Sequence, residues 1–268
     1  MKGGGLRVYA VVYLAFLYAP IVLLPLFAFN SSTIIAFPLS GFTTDWFVAL
    51  TDRPELHRAV RYSLGIAAVT AVLATLLGIC AARAGTKYRF PGKGPVLGFI
   101  MLPLVLPEII VAVSLLVVLL RLGVPLSAFS VILGHVLICT PFSIAILNSA
   151  FASLDQSLEE AAYDLGEGPW SAFRLVILPL VMPGIISSLL ISFTISLDEY
   201  IIASFLTGTR PTLPVYLFSQ MRFPQELPVV MALGSVLVLL SVVLLTIAEY
   251  FRRRGVARAG GKDTGGFL

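Results

Sequence analysis

The chain contains six blocks of apolar residues, each long enough to cross a bilayer as a helix, which takes about 20 residues. Backbone groups that meet lipid must be hydrogen-bonded within their own segment, so each block is predicted to be helical. The blocks cover approximately residues 8–29, 63–82, 96–120, 129–147, 182–205 and 229–250. The predicted fold class is therefore all-α: a polytopic membrane protein whose six transmembrane helices form a single domain over residues 1–268.

The composition excludes an ordinary soluble enzyme and an intrinsically disordered chain. Hydrophobic residues make up 58% of the sequence and charged residues only 12%, about half the charge of a typical soluble domain, which is about 25%. The first block is longer than the core of a signal peptide and lacks a clear cleavage site, so it is predicted to be a retained span. Cys80 and Cys139 lie inside apolar blocks without a C-x-x-C pattern, which favours packing over metal or redox roles.

Basic residues are distributed unevenly over the segments that connect the predicted spans. Twelve of the 18 Lys and Arg residues fall at the two termini and in the segments after the second and fourth spans. Because such residues concentrate in cytoplasmic loops, this bias predicts that both termini face the cytoplasm. The same bias accounts for the net charge of +4, so no nucleic-acid partner is inferred. Residues 251–268 are predicted to form a basic, Gly-rich cytoplasmic tail that meets anionic membrane lipid.

The segment between the fourth and fifth spans, residues 153–175, is polar and has the pattern of two short helices. Gly166 suits the left-handed residue that ends the first helix, and Pro169 suits the first position of the second. In the first helix, apolar residues recur at three- and four-residue spacing and form one stripe. They are Leu154, Leu158, Ala161, Ala162 and Leu165. Two interpretations stay open: this stripe packs on its own protein or the bilayer interface, or it docks into a groove of a cytoplasmic partner.

The same segment carries a longer pattern. Glu160-Ala161-Ala162, Gly166 and Val176-Ile177-Leu178-Pro179 match E-A-A-x3-G-x9-I-x-L-P, with Val176 where isoleucine is usual. In this pattern the chain resembles the permease subunits of bacterial ABC importers. The resemblance implies a type I importer permease in the bacterial inner membrane, whose loop helix couples it to an ATPase. The ATPase-docking positions carried over are Glu160, Ala161, Ala162, Asp164 and Gly166.

The resemblance extends over nearly the whole chain and narrows to the polyamine subfamily. Segments 27–32, 41–46, 88–90, 106–109, 192–200 and 204–208 are similar to the spermidine/putrescine permeases of the C type. This implies half of a translocation pore that works by alternating access. It also implies three partners: an ABC ATPase dimer that carries ATP and Mg, a second homologous permease, and a periplasmic substrate-binding protein. The chain itself is expected to bind no cofactor and no metal.

Two alternatives to polyamine import stay open at this stage. The first is the same machine with another small solute, such as an aminobutyrate, an opine, a thiamine-like cation or a metal ion. The second is a stand-alone secondary transporter or channel, which would need no ATPase. The sequence contains no G-x-x-x-x-G-K-[ST] phosphate loop, so the chain is predicted not to be an ATPase of the P-loop type. It also contains no defensible catalytic or metal-binding constellation, so the chain is predicted not to be an enzyme.

Acidic residues lie within or at the edge of the predicted spans, where a charge costs on the order of 2.5–3.5 kcal/mol. They are Glu108, Asp198, Glu199 and Glu249. Such residues usually face a bundle interior or a water-filled path. No basic residue lies in mid-span to neutralise them, which favours a cationic small-molecule substrate. The candidates for the substrate path are Asp198, Glu199, Glu108 and Tyr200.

These acids also have structural interpretations. Glu108 follows a mid-span proline that must break or kink its helix, so it can instead start the second half-helix and favour its positive dipole end. Asp198 and Glu199 are adjacent on the predicted fifth span. Adjacent helical residues point about 100° apart, so both cannot face one narrow pore, and either can instead pair with Arg210 or Arg222.

Two further polar residues in the apolar blocks are given structural roles. Glu249 lies beside Arg252 and Arg253, which predicts an ion pair at the membrane interface. His135 lies within the fourth span, where a buried hydrogen bond between helices is favoured over a gate or a ligand.

Overall fold

The computed structural model describes residues 3–155 and 157–258, and their regular elements are helices. In chain order the α-helices are α1 (Gly3–Ala28), α2 (Asp45–Ala49), α3 (Pro54–Lys87), α4 (Lys93–Met101), α5 (Glu108–Arg121), α6 (Ala128–Ala152), α7 (Ser157–Asp164), α8 (Pro169–Ala172), α9 (Leu178–Asp198), α10 (Ile201–Leu206), α11 (Leu213–Gln220) and α12 (Leu227–Arg258). Leu102–Leu104 and Pro224–Glu226 are 3₁₀ turns, and Phe173–Ile177 is a π-helical stretch.

Five helical segments of the described residues are long and apolar enough to cross a membrane. A sixth candidate is a bent pair of helices: Lys93–Leu104 and Glu108–Arg121 together are long and apolar enough, but they are bent by 103° at the residues between them. The break falls at Pro107, whose ring removes a backbone donor and clashes with the preceding turn of a helix. The interruption that the proline predicted is therefore present, and Glu108 becomes the first residue of α5.

The structure changes two of the predicted segments by more than the approximate ends of a helix. The fifth span was predicted as one helix over residues 182–205, but α9 ends at Asp198 and α10 begins at Ile201. The cytoplasmic tail was predicted from residue 251, but α12 continues to Arg258. Residues 259–268 of that tail lie outside the described residues.

The chain divides into two compact units, of which the first comprises the residues up to Arg58 and Tyr216–Ser241. Within it, the loop after α1 is organised around Asn30, which is only 1% exposed. Its side-chain oxygen accepts from the Ser40 N–H at 3.1 Å, and its carbonyl accepts from the Trp46 Nε1–H at 2.7 Å. Arg53 forms an ion pair with Glu226 in the same unit.

The second unit comprises Ala59–Val215 and the residues from Val242 onward. Its centre is the antiparallel pair of α6 and α9, which approach closely because small residues face each other. A Cβ atom added to Gly184 would lie 2.6 Å from the Ala150 Cβ, and one added to Gly78 of α3 would lie 2.7 Å from the Ser143 Cβ. Membrane helices use such small residues to bring their backbones together.

The connection from α8 to α9 is continuous helix, with the π-helical stretch Phe173–Ile177 inside it. Pro179 follows that stretch and carries no N–H, so the carbonyl four residues earlier loses its usual partner. π-helical turns are rare, and most of them are single-turn bulges inside an α-helix, as here. The proline of the E-A-A pattern thus lies at the point where the polar segment joins the membrane helix.

Candidate functional site

The loop helix α7 has a defined start and a defined end. The Asp155 Oδ1 accepts a hydrogen bond from the Ser157 N–H at 3.0 Å, and this bond lowers the pKa of the Asp155 carboxyl. At the other end, Gly166 has a φ of 88°, which favours glycine. The Glu167 N–H donates to the Ala162 carbonyl and the Gly166 N–H donates to the Tyr163 carbonyl. This is the Schellman arrangement, which stops a helix sharply.

The positions that were carried over for ATPase docking do not all face outward. Glu160, Ala161, Asp164 and Gly166 are exposed. Ala162 is 4% exposed and is buried against its own chain. The predicted apolar stripe is therefore only partly covered, since Leu158 is 41% exposed and Leu165 is 85% exposed. Trp170, the second residue of α8, is 73% exposed. The result is an exposed surface in which acidic and apolar residues alternate around the α7–α8 turn.

A cluster of charges joins α7 to the last turns of α3. The Arg83 Nη2 donates to both carboxylate oxygens of Glu159 at 2.7 Å. The Lys87 ammonium also forms an ion pair with Glu159. The Tyr163 hydroxyl donates to the same carboxylate at 2.7 Å. These groups line an open cleft of about 470 Å³, which also reaches Phe151 at the end of α6.

The Glu159 carboxyl is shielded from solvent, and its side chain is 13% exposed. Partial burial alone would raise its pKa, but hydrogen bonds from Lys87, Arg83 and Tyr163 outweigh this effect and lower the pKa to about 2. A lowered pKa means that the ion pair contributes its stability above the ordinary carboxyl pKa of about 4.3 and loses it as the pH falls toward the lowered value. The cluster is therefore fully charged at neutral pH.

Because the pKa of Glu159 is lowered, the stability that its ion pairs contribute is expected not to change with pH near neutrality. We expect the difference in Tm between the wild type and Glu159→Gln to stay constant between about pH 6 and 8 and to shrink below about pH 4. Thermal unfolding of the purified chain in detergent across this range is the measurement. A step in that difference near pH 7 would contradict the assignment of this carboxylate as the partner of Arg83 and Lys87.

Glu199 and Glu108 each lie at a helix break, next to helices that pack on each other. Glu199 lies between α9 and α10 and is 8% exposed, and its Oε1 accepts from the Ile202 N–H at 2.8 Å. Glu108 is exposed at the start of α5, the helix on which α10 packs. Among the described residues, no basic side chain forms an ion pair with Glu199.

The neighbours of these acids are placed differently. Asp198 is exposed at the last residue of α9, and Tyr200 is half-buried between α9 and α10. The prediction that Asp198 and Glu199 are successive residues of one helix is wrong, because Glu199 has an extended backbone with a ψ of 118°. The 100° argument against both acids facing one path therefore does not apply. Glu249 pairs with Arg253 at 2.7 Å, as predicted.

Hydroxyl groups at every fourth residue of α9 form a ladder of hydrogen bonds. Ser188 pairs with Thr75 of α3 at 3.0 Å, and Ser192 pairs with Ser143 of α6 at 2.9 Å. Ser196 pairs with the Nδ1 of His135 at 2.7 Å, so the predicted role of that histidine as a hydrogen-bond partner between helices is confirmed. Such bonds are worth about 0.6 kcal/mol each, and up to about 1.7 kcal/mol, in membrane proteins.

Residues 74–255 match the family described as "Binding-protein-dependent transport system inner membrane component". The chain belongs to this family. It is therefore an inner-membrane component of a bacterial transport system rather than an enzyme. The matched residues include α7, the ladder and both helix breaks.

Individual relatives support the same assignment. The permease is 36% identical over 248 residues to the spermidine/putrescine transport system permease protein PotC of Shigella flexneri, covering 92% of this chain and 93% of the relative. It is 36% identical over 259 residues to the putrescine transport system permease protein PotI of Escherichia coli (strain K12), covering 91% and 92%.

Solved structures show the fold. A chain of a bacterial ABC transporter involved in the import of the acidic polysaccharide alginate matches with a TM-score of 0.72 and 19% identity, covering 93% of the permease and 94% of that chain. A chain of the MetNI methionine ABC transporter matches with a TM-score of 0.62 and 16% identity, covering 75% and 95%. The permease has the type I ABC importer fold that the loop pattern predicted.

Sequence reasoning missed two features of this site. Glu159 was passed over in favour of its neighbour Glu160, and Arg83 and Lys87 were used only to predict orientation. Arg83 and Lys87 are four residues apart and therefore lie on one face at the end of α3. That spacing was the signal available in the sequence for a shared acidic partner. The serine ladder was also missed, although Ser188, Ser192 and Ser196 recur at a spacing that places them on one helical face.

Proposed function

We propose that this permease is one of two permease subunits of an ATP-driven importer of polyamines. The observation that carries the proposal is 36% identity over more than nine tenths of both chains to relatives named for spermidine and putrescine transport. The proposal places half of the translocation pore in this chain and the other half in a second, homologous permease. A periplasmic binding protein delivers the substrate, and the two halves open alternately to either side of the membrane.

The proposed docking surface for the ATPase is the exposed side of α7 together with the α7–α8 turn. Glu160 and Asp164 supply negative charge there, while Leu165 and Trp170 supply exposed apolar area. An exposed helix with an apolar patch inside a polar rim is typical of a surface that seats in a partner groove. In this arrangement α7 and both termini face the cytoplasm, and ATP with Mg is bound by the ATPase dimer rather than by this chain.

The proposed binding region for the charged substrate lies at the two helix breaks. Glu199 is buried just before α10, Glu108 is the first residue of α5, and α10 packs on α5. A buried carboxylate is costly unless a hydrogen bond or a cation compensates it. Polyamines are cations with ammonium groups separated by short alkyl chains, so one bound molecule offsets both carboxylates. Asp198 and Tyr200 are adjacent and complete the candidate path.

Transport into proteoliposomes tests this function. The complex of this permease with its ATPase, its partner permease and its binding protein is reconstituted and supplied with labelled putrescine. We expect ATP-dependent uptake that spermidine competes for and that aminobutyrate and thiamine do not. ATP hydrolysis without putrescine uptake would discard polyamines and keep the importer. Uptake without any ATP dependence in an intact complex would favour a secondary transporter.

Neutralising either acid is expected to weaken substrate use without disturbing ATPase docking. We expect Glu199→Gln and Glu108→Gln each to raise the KM for putrescine uptake by about tenfold or more, since a hydrogen bond to a charged group contributes about 1.5–3 kcal/mol. The reconstituted complex is assayed over a range of binding-protein-bound putrescine. Glu55→Gln is the matched control, because Glu55 is exposed and its ion pair with the exposed Arg58, at 3.4 Å, is long. An unchanged KM in both variants would remove these acids from the path.

A further inference from the structure

Glu159 and Glu160 are adjacent acids on α7 with opposite environments. Glu160 is exposed, whereas the Glu159 side chain is 13% exposed and points toward α3. Adjacent residues on a helix point about 100° apart, so one turn of α7 can present one acid outward and hold the other inward. Only Glu160, the exposed acid, belongs to the proposed docking surface. Docking therefore does not explain the role of Glu159.

Arg83 connects Glu159 to two helices at once. One guanidinium nitrogen, Nη2, donates to both oxygens of Glu159 at 2.7 Å, and hydrogen bonds between two charged groups are stronger than neutral ones. The same guanidinium lies 5.9 Å from the ring centre of Phe151, at the end of α6. Residues from α3, α6 and α7 therefore meet at this one side chain.

Lys87 reinforces the same connection. Its ammonium contacts Glu159, donates to the Tyr163 hydroxyl at 3.1 Å and lies 5.6 Å from the Tyr163 ring centre. Lys87 follows Arg83 by four residues, so their charges repel when no anion lies between them. Glu159 removes that repulsion, and its loss would push α7 and the end of α3 apart.

The ends of both helices favour these charges. Arg83 and Lys87 lie in the last two turns of α3, where cations are stabilised, and Glu159 lies in the first turn of α7, where anions are stabilised. The cluster is therefore a polar link between two helix termini, and the three side chains are shielded, with exposures of 18%, 27% and 13%.

We infer that Glu159 is a positioning residue for coupling, which ties α7 to α3 through Arg83 and Lys87. This inference rests on the proposed function and deepens it. The chain already connects α7 to α6 and to α9 through its backbone, but α3 is joined to α7 by side chains. A displacement of α7 by the ATPase is thereby delivered to α3 as well. Without the cluster, α7 acts on α3 only indirectly, through the contacts of α3 with Ser143 of α6 and Ser188 of α9.

The test compares transport with ATP hydrolysis in the reconstituted complex. Glu159→Gln and Arg83→Gln are expected to assemble with the ATPase and hydrolyse ATP. The amount of putrescine moved per ATP hydrolysed is expected to fall by about fivefold or more. The double variant Arg83→Glu/Glu159→Arg, which exchanges the two charges, is expected to recover most of that ratio. If the cluster only stabilised the fold, its loss would reduce assembly with the ATPase and leave the amount of putrescine moved per ATP hydrolysed unchanged.

Glu249→Gln is the matched control, because it breaks another Glu–Arg ion pair of 2.7 Å in this chain, away from α7. It is expected to leave the ratio unchanged. Where Glu159→Gln does not insert in the membrane, Arg83→Lys replaces it, since it keeps the charge and loses the guanidinium group that contacts both Glu159 and Phe151. We expect an intermediate ratio.

Three results would overturn the inference. They are a wild-type ratio in the single variants, no recovery in the charge exchange, or loss of ATPase binding in Glu159→Gln. The last would assign Glu159 to docking. None of these outcomes would remove the importer function, which instead fails if the wild-type complex shows no ATP-dependent uptake.

Discussion

Glu160→Lys is expected to abolish ATP-driven uptake while the permease still inserts in the membrane. Glu160 is exposed on the outer side of α7, near the apolar residues Leu165 and Trp170. Reversing a charge at the centre of a docking surface creates repulsion where the partner offers complementary charge. Central interface residues commonly contribute about 2 kcal/mol or more, so binding of the ATPase should weaken by about 30-fold or more.

Two measurements on the same preparation separate docking from folding. The first is the amount of ATPase that purifies with the tagged permease, and the second is uptake per membrane-inserted permease. Glu55→Lys is the control, since it makes the same charge change at an exposed residue near the start of α3. Wild-type uptake by Glu160→Lys would refute the docking surface and with it the coupling scheme.

Gly184→Val is expected to destabilise the permease itself. A Cβ at residue 184 of α9 would lie 2.6 Å from the Ala150 Cβ of α6, and neither atom is the end of a flexible side chain. The backbones must therefore separate, which strains the serine ladder and the packing around Val181 and Ile185. Overpacking of a close interface typically costs about 1–3 kcal/mol.

The measurement is thermal unfolding of the purified chain in detergent, together with its yield in the membrane. Gly65→Val is the matched control, because Gly65 also lies in a long apolar helix but a Cβ there meets no atom within 4 Å. We expect a clear fall in Tm for Gly184→Val and a small change for Gly65→Val. Equal effects would mean that the α6–α9 approach does not limit stability.

Hydrophobic blocks and local signals predicted the fold because they act within a single segment. A membrane helix must satisfy its own backbone, so its approximate position can be found without knowledge of its neighbours. The proline break at 107 and the stop at Gly166 are likewise local, since each follows from one residue's backbone chemistry. The loop pattern that contains Glu160 also lies within one segment, and it predicted the family.

Other features depend on contacts between distant segments and were not predictable in this way. Glu159 finds its partners on a helix more than 70 residues earlier, and only tertiary packing selects it over Glu160. The break after Asp198 has no proline or glycine to announce it. It is instead supported by the Glu199 carboxylate, which accepts the Ile202 N–H. A mid-span acid that bonds its own backbone is indistinguishable in sequence from one in a continuous helix.

The two helix breaks also bear on hydration. The first N–H groups of any helix have no carbonyl of their own to bond, and α5 and α10 both begin inside segments predicted to cross the membrane. Glu199 satisfies one such group in α10. At the break before α5, Leu104, Val105 and Leu106 are exposed on the surface of this chain. Irregular backbone at membrane depth persists only where protein covers it or water reaches it. The interrupted span therefore identifies a depth at which this subunit needs solvent or a second subunit, and continuous lipid is excluded there.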